Sequence, residues 1–176
     1  MQFKKYIWSR GLPKTGQVVV AVGGDDATYQ AGWWVKQAVA NNRDRFVVNG
    51  EGDDTLIFDR ATGLMWAGDG DGDGGNGGDA ATWEVSLDAA NACTLRGFSD
   101  WRIPNVKEIQ TLLNYGKVAP PIEEPPFLNI GSLNYWSSTT VWAVTANAWY
   151  MSGLTGGIYH ELKTESNYSL CVRSGI

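Results

Sequence analysis

Apolar residues along this chain fall into short runs between glycine-rich turns, a pattern typical of β-strands. Residues 17–22 form a β-branched run ahead of a Gly-Gly-Asp-Asp turn, and they predict a first strand. Residues 45–48 and 55–59 flank the turn at 50–54 and predict a hairpin around it. The apolar string at 64–66 predicts one more short strand.

Helical signals appear in the middle of the chain. Thr82 fits the N-cap of a helix that runs to about residue 96, and the glycine that follows fits its end. On this helix Val85, Ala89 and Cys93 lie at i, i+4 and i+8, which is one face. The spacing therefore predicts that Cys93 points towards the core.

A second helix is predicted to begin at Asn105, where Glu108 three residues later completes a capping box. A proline-rich loop at 119–126 follows, and the pattern then returns to short strand-like runs. These runs are residues 135–138, 146–151, 157–161 and 169–173. Because few residues separate them, we expect the four runs to form one antiparallel sheet. Helices followed by a sheet indicate the α+β class, with an extended lead-in at 1–16 and a single domain at 17–176.

The bulk composition excludes several classes of function. The 176 residues are 43% hydrophobic and 19% charged, which suits one folded domain rather than a disordered chain. A net charge of −5 and a pI of about 4.8 argue against nucleic acid and anionic membrane surfaces as partners. No apolar run approaches the roughly 18 residues that span a bilayer, so we expect no membrane insertion.

The cysteines and the start of the chain bear on the compartment in which the protein works. Cys93 and Cys171 are too few for a zinc ribbon, so they are either two buried free thiols or a disulfide. The many glycines and tryptophans and the modest helix content favour the bridged, extracellular alternative. The basic start at 1–8 has no apolar stretch after it and is not a signal peptide as it stands. We expect an extracellular protein. It reaches the outside either with a signal that has since been removed or by another route, for example as part of a virion.

The motifs of common catalytic sites are missing from the sequence. The single histidine, His160, would have to serve any Ser-His-Asp triad, yet no Gly-x-Ser-x-Gly elbow accompanies it. No His-Glu-x-x-His motif and no P-loop occurs either. We therefore expect that the protein is not an enzyme.

The segment 68–79 alternates glycine and aspartate like the front half of an EF-hand calcium loop. The candidate Ca²⁺ ligands are Asp69, Asp71, Asp73, Asn76 and Asp79. The back half departs from the pattern, since its twelfth position is Ala80 rather than Glu and no EF-hand helix pair surrounds it. The alternative is a flexible acidic surface loop. A Ca²⁺ ion bound there would be structural and would order the loop.

Several local strings, taken in order, resemble one known family. The most specific are Thr-Gly-Leu-Met-Trp at 62–66, Asp-Trp-Arg-Ile-Pro at 100–104 and Tyr-Trp-Ser-Ser-Thr at 135–139. Shorter strings that fit the same family lie at 12–17, 24–26, 45–46, 59 and 171–173. From about residue 12 to residue 173 the chain resembles the C-terminal domain family of bacterial collagen-like adhesins.

The resemblance implies a C-type-lectin-like fold, in which two helices flank a twisted antiparallel sheet and the N- and C-terminal strands pair. It also implies a disulfide between Cys93 and Cys171 that joins the first helix to the last strand. It further implies a location on a cell surface or a virion. Similar folds include ligand-binding variable proteins that diversity-generating retroelements vary near the C-terminus, and residues 142–167 occupy that position here.

The segment 142–167 combines aromatic side chains with adaptable polar ones, which is the chemistry of a binding surface. The candidate ligand contacts are Trp142, Asn147, Trp149, Ser152, Tyr159, His160, Lys163, Glu165 and Asn167. Strand neighbours alternate faces, so one side of 147–152 must be core, and the sequence does not say which. We expect an adhesin or receptor-binding domain without catalytic activity, with a protein or glycan ligand on a cell surface. The alternative is an assembly tip domain of a fibre or surface complex without its own ligand, and the oligomeric state stays open.

Overall fold

The computed structural model describes residues 12–29, 32, 45–70, 77–117, 119, 121–122, 125–130 and 133–175. The α-helices in these ranges are Asp26–Tyr29 (α1), Trp83–Ala92 (α2) and Val106–Gln110 (α3). The strands are Phe46–Asn49 (β1), Leu56–Asp59 (β2), Leu64–Ala67 (β3), Asn134–Thr140 (β4), Asn147–Ser152 (β5), Ile158–Leu162 (β6) and Val172–Ser174 (β7). The fold is therefore α+β, as predicted, with few helices and two antiparallel sheets.

The strands divide into a first sheet of order β1-β2-β3-β7 and a second sheet of order β4-β5-β6. The predicted early hairpin is confirmed, with Phe46 opposite Asp59. The expectation that the last four strands form one sheet is wrong, because β7 leaves β6 and pairs with β3, placing Val172 opposite Trp66. Among the described residues the last strand pairs with β3. The start of the chain, whose pairing with the last strand the resemblance implied, lies outside the described residues.

Two buried apolar clusters lie on opposite sides of the sheets. The α3-side core comprises Phe46, Ile57, Trp66, Ile109, Leu112, Leu113, Ile122, Phe127, Ile130, Tyr135, Met151, Leu170 and Val172. The α2-side core comprises Leu56, Ala67, Ala90, Cys93, Leu95, Trp101, Ile103, Trp136, Ala148 and Cys171. Neighbours along a strand, such as Leu56 and Ile57 or Tyr135 and Trp136, fall into different cores because their side chains alternate. Both sheets therefore separate the two cores.

The predicted strand at 17–22 is not formed. Its residues make an exposed loop in which the four valines are 53–75% exposed. The Asp25 carboxylate accepts hydrogen bonds from the backbone N–H groups of Ala21 and Val22, at 2.8 and 3.4 Å. The Asp25 side chain thus satisfies backbone groups that would otherwise pair with a neighbouring strand, so residues 17–22 form a loop.

Helix α2 ends at Ala92, earlier than predicted, and Cys93 is extended with φ −62° and ψ 133°. The buried residues of α2 are Ser86 and Ala90, whereas Val85 is 53% exposed, so the predicted core face was wrong by one position. Cys93 is buried as expected. It reaches the core from the extended segment after the helix rather than from the helix face.

The two cysteines meet in the α2-side core, but as thiols. Cys93 is 8% exposed and Cys171 is 1% exposed, and each carries a thiol. The disulfide that the resemblance implied is therefore not formed in this structure, although its two partners are adjacent. A hydrogen bond between the two side chains, together with burial, raises the pKa of the Cys171 thiol. Packing brings the sulfur atoms together, whereas the bond itself also depends on the redox environment.

Candidate ligand-binding surface

The candidate surface is built on the hairpin of β5 and β6. In the part of the chain that the structure describes, β6 is the outer strand of the second sheet. The register places Trp149 opposite His160 and Tyr150 opposite Tyr159. Because side chains alternate along a strand, these two pairs lie on opposite faces of the sheet.

Each face of β5 is partly buried. Met151 and Ala148 are both 0% exposed, yet the first belongs to the α3-side core and the second to the α2-side core. The sequence predicted one core face and one free face, and the structure instead buries part of each. The exposed surface therefore follows β6 and the β4–β5 turn rather than a whole face of the sheet.

On the first face an indole and an imidazole are stacked edge to face. The ring centroids of Trp149 and His160 lie 5.2 Å apart at an interplanar angle of 85°. The amide Nδ2 of Asn147 lies 3.1 Å from His160 Nδ1. Leu162, which is opposite Asn147, extends this face and is 50% exposed.

The β4–β5 turn carries a highly exposed indole. Trp142 is 94% exposed and Val144 is 48% exposed. The turn is tied to the end of β6, because the Lys163 N–H donates to the Ala146 carbonyl at 2.9 Å. Trp142 therefore lies on a turn whose last residue is hydrogen-bonded to the residue after β6.

On the second face two tyrosines lie side by side. The rings of Tyr150 and Tyr159 have centroids 6.0 Å apart, and Tyr159 is 48% exposed. Burial, then the charge of Glu161 and the neighbouring Tyr159, raise the pKa of Tyr150. Tyr150 therefore remains a neutral phenol, able to donate a hydrogen bond, throughout the physiological pH range.

A family model described as the Lcl C-terminal domain matches residues 55–173. The chain belongs to this family. The match runs from β2 to β7 and includes the whole candidate surface. No curated protein matches the chain. Among the described helices, none is both long enough and apolar enough to cross a membrane.

In this Lcl C-terminal domain, two predicted ligand contacts are buried and are not surface residues. Ser152 is 8% exposed, and its backbone N–H donates to the Gly157 carbonyl at 2.9 Å. Asn167 is 4% exposed, and its side-chain amide donates to the Glu161 carboxylate. The backbone of Asn167 also pairs in both directions with Ala81, at 2.9 and 3.1 Å. Both residues hold the hairpin in place rather than face a ligand.

Lys163 is half-buried and links the end of β6 to neighbouring elements of the domain. Its Nζ lies 4.0 Å from the centroid of the Trp83 ring and donates to Thr140 Oγ1 at 2.9 Å. The cation–π contact joins the end of β6 to the first turn of α2. Of the two predicted charged contacts, Glu165 is exposed and reaches solvent, whereas Lys163 is engaged within the domain.

The predicted calcium ligands are only partly described. Asp71, Asp73 and Asn76 lie outside the described residues. Asp69 is 3% exposed, and its Oδ1 accepts a hydrogen bond from Asn129 Nδ2 at 3.0 Å, whereas Asp79 is exposed. Among the residues that the structure describes, no three His, Cys, Asp or Glu side chains form a metal-binding group. Calcium binding by this loop stays a prediction.

Sequence reasoning missed two apolar residues of the surface, Val144 and Leu162. Aliphatic side chains in a globular domain usually pack in the core, so their residue type does not predict a surface position. One signal was available for Leu162, because it follows Ile158 and His160 at the period of two that places all three on one face of β6.

Proposed function

We propose that this Lcl C-terminal domain is a non-catalytic ligand-binding module whose recognition surface lies on β6 and the β4–β5 turn. One observation carries the proposal, which is the 94% exposure of Trp142 on a turn that is hydrogen-bonded to the residue after β6. The same hairpin carries the edge-to-face pair of Trp149 and His160. Tryptophan is among the residues that contribute most at binding interfaces. Removing an exposed indole from water is favourable, and it happens only when a partner binds over the ring.

The chemistry of the surface fits a protein or glycan ligand. The indoles of Trp142 and Trp149 provide rigid flat contact area at low entropic cost. Asn147, His160 and Glu165 provide adaptable hydrogen-bonding groups around them. This combination is used by recognition loops that bind varied partners, and it requires no catalytic machinery.

We further propose that the fold is C-type-lectin-like and that the domain acts as an adhesin on a cell surface or virion. The return of β7 to β3 and the packing of α2 and α3 on opposite sides of the sheets support the fold. The adjacent thiols of Cys93 and Cys171 support an extracellular setting, where an oxidant would convert them into a bridge between the end of α2 and the start of β7.

Binding is tested by applying fluorescently labelled protein to immobilised glycan arrays and to intact cells. We expect Trp142→Ala and Tyr159→Ala each to weaken binding about tenfold or more, as truncation of interface aromatics commonly does. Trp142→Ala should leave the melting temperature unchanged, because its side chain is 94% exposed, whereas Tyr159→Ala also removes a ring that packs beside Tyr150. The matched control is Tyr115→Ala, an aromatic that is 54% exposed outside this surface.

Unchanged binding by both surface variants, or an equal loss by Tyr115→Ala, would show that the recognition surface lies elsewhere. Failure of the wild-type protein to bind any glycan or cell type tested would instead favour an assembly role.

We also propose that a retroelement diversifies the segment 142–167. The test is to sequence this gene from many related isolates and to map the substitutions. We expect changes at adenine-derived codons for exposed residues such as Trp142, Tyr159 and His160, while the buried Ala148 and Met151 stay constant. Substitutions spread evenly along the chain would contradict diversification by a retroelement, and they would leave the ligand-binding proposal standing.

Assembly is a second candidate function, favoured by the exposed loop at 17–22. Its four valines are 53–75% exposed, and exposed apolar patches commonly mark protein interfaces. Sedimentation velocity of the wild type and of a Val19→Ser, Val20→Ser variant tests this role. Self-association that increases with concentration and is lost in the variant would support it, and a monomeric wild type would exclude it.

A further inference from the structure

A groove of about 400 Å³ opens on the first sheet, on a different sheet from the candidate surface. Its floor crosses three strands, because Val47 lies opposite Phe58 and Phe58 lies opposite Met65. Leu56 and Phe98 add further apolar lining. The volume falls in the range of roughly 300–1,000 Å³ that is usual for small-molecule sites.

Of the described residues that line this groove, only Arg96 is charged. Its guanidinium is oriented by Asn49, whose Oδ1 accepts a hydrogen bond from NH2 at 2.8 Å. The Asp54 carboxylate lies 4.0 Å from NH1, but its side chain is 68% exposed. A pair of that length in water contributes little, so an anion bound in the groove can compete for the same guanidinium.

The backbone of Arg96 indicates that its side chain has a use. Arg96 has φ 56° and ψ 26°, in the left-handed region that residues other than glycine and asparagine rarely adopt. A glycine would fit this conformation without strain. Strained positions of this kind are often retained where a side chain serves binding.

A second guanidinium beside the groove is already neutralised. Arg173 donates to the Asp100 carboxylate at 2.6 Å, and its guanidinium lies 3.9 Å from the centroid of the Phe98 ring. Its NH1 is also 3.6 Å from the sulfur of Met65. Arg173 therefore fixes two apolar residues of the groove, and Arg96 is left as the cation that can meet a ligand.

We propose that this groove binds a small organic carboxylate with an apolar, ring-bearing body. The carboxylate would pair with the fork of the Arg96 guanidinium, a geometry suited to two parallel hydrogen bonds. The ring would lie against Phe58, Phe98 and Met65, which offer aromatic and thioether contacts. This site is independent of the proposed recognition surface on β6.

The test is a titration of isotope-labelled protein with 4-phenylbutanoate, followed by NMR, with the uncharged 4-phenylbutanamide as the matched probe. We expect the carboxylate to shift the backbone signals of Val47, Phe58 and Phe98 and to bind about tenfold or more tightly than the amide. Arg96→Gly should reduce carboxylate affinity to that of the amide and leave amide binding unchanged. This variant suits the left-handed backbone, so it should fold.

Two further variants separate charge from shape. Val47→Trp should fill the groove and abolish binding of both probes, although Arg96 is retained. Lys107→Gln removes an exposed cation on α3 and should leave both affinities unchanged. Equal affinity for the two probes, wild-type affinity in Arg96→Gly, signal shifts confined to β5 and β6, or no saturable binding would each overturn the proposal.

Discussion

Arg45 and Asp59 form an ion pair whose side chains are both 0% exposed. The Arg45 Nε and NH2 donate to the two carboxylate oxygens at 2.9 and 2.7 Å, and NH2 also donates to the Thr111 carbonyl at 2.9 Å. Asp59 further accepts hydrogen bonds from the Ala61 N–H at 2.9 Å and the Thr62 hydroxyl at 2.8 Å. One carboxylate therefore connects the start of β1, the β2–β3 turn and, through the arginine, the end of α3.

We expect Asp59→Asn to lower the free energy of unfolding by about 3–5 kcal/mol, because it leaves a buried guanidinium without a counter-charge. Urea denaturation measures the change. Asp54→Asn is the matched control, since Asp54 is 68% exposed and its pair with Arg96 spans 4.0 Å, and it should change stability by less than about 0.5 kcal/mol. Similar values for the two variants would contradict the bracing role of Asp59.

Among the elements, α3 shows how a helix of only five residues is held. The Asn105 side chain accepts hydrogen bonds from the N–H groups of Lys107 and Glu108, and the Glu108 carboxylate accepts one from the Asn105 N–H at 2.8 Å. This is the capping box that the sequence predicted. Glu108 also receives two hydrogen bonds of 2.7 Å from Arg102, so the cap is tied to the segment before the helix.

The cap should make stability depend on pH. Burial raises the pKa of Glu108, but hydrogen bonds from Arg102 and Asn105 and the Arg102 charge outweigh it and hold that pKa below its ordinary 4.5. A carboxyl with a lowered pKa in the folded state stabilises at higher pH, and this contribution is lost as the pH falls through the folded value. We therefore expect Glu108→Gln to be less stable than wild type at neutral pH, with the difference shrinking below about pH 4.5. Urea denaturation at a series of pH values tests this, and a difference that does not vary with pH would contradict it.

At the scale of the whole molecule, each sheet contributes to both cores, and the α2-side core contains the cysteine pair. The end of α2, strands β4 and β5 of the second sheet and the residue that precedes β7 meet in this core. A change in packing at the cysteines should therefore alter the packing of both sheets.

We expect the two thiols of the reduced, folded protein to react with an aromatic disulfide reagent at least about a hundredfold more slowly than in urea. The thiolate is the reactive species, and both burial and the raised pKa of Cys171 suppress it. Absorbance of the released thiolate measures the rate, with the unfolded protein as the control. Rapid reaction without denaturant would mean that the core opens locally at this point.

The sequence was informative wherever the signal is local. The β1–β2 hairpin and the capping box of α3 follow from spacing and turn residues within a few positions. The partner of β7 did not follow, because pairing Val172 with Trp66 is decided by packing across the chain. The loop at 17–22 has the composition of a strand, but a carboxylate four residues later binds its backbone. In the candidate surface, residue types indicated the region, whereas the burial of Ser152 and Asn167 depends on contacts with other segments of the chain.

The position of β7 has a consequence for how the protein is made. Leu170, Cys171 and Val172 are at most 1% exposed, and between them they contribute to both cores. While the ribosome is still elongating the chain, β1 to β3 can form a meander, but the edge and faces of β3 stay open. Neither core can close until residues 170–174 have left the exit tunnel. The domain should therefore complete folding only after translation of this segment, and chains released before it should be substrates for chaperones and proteases.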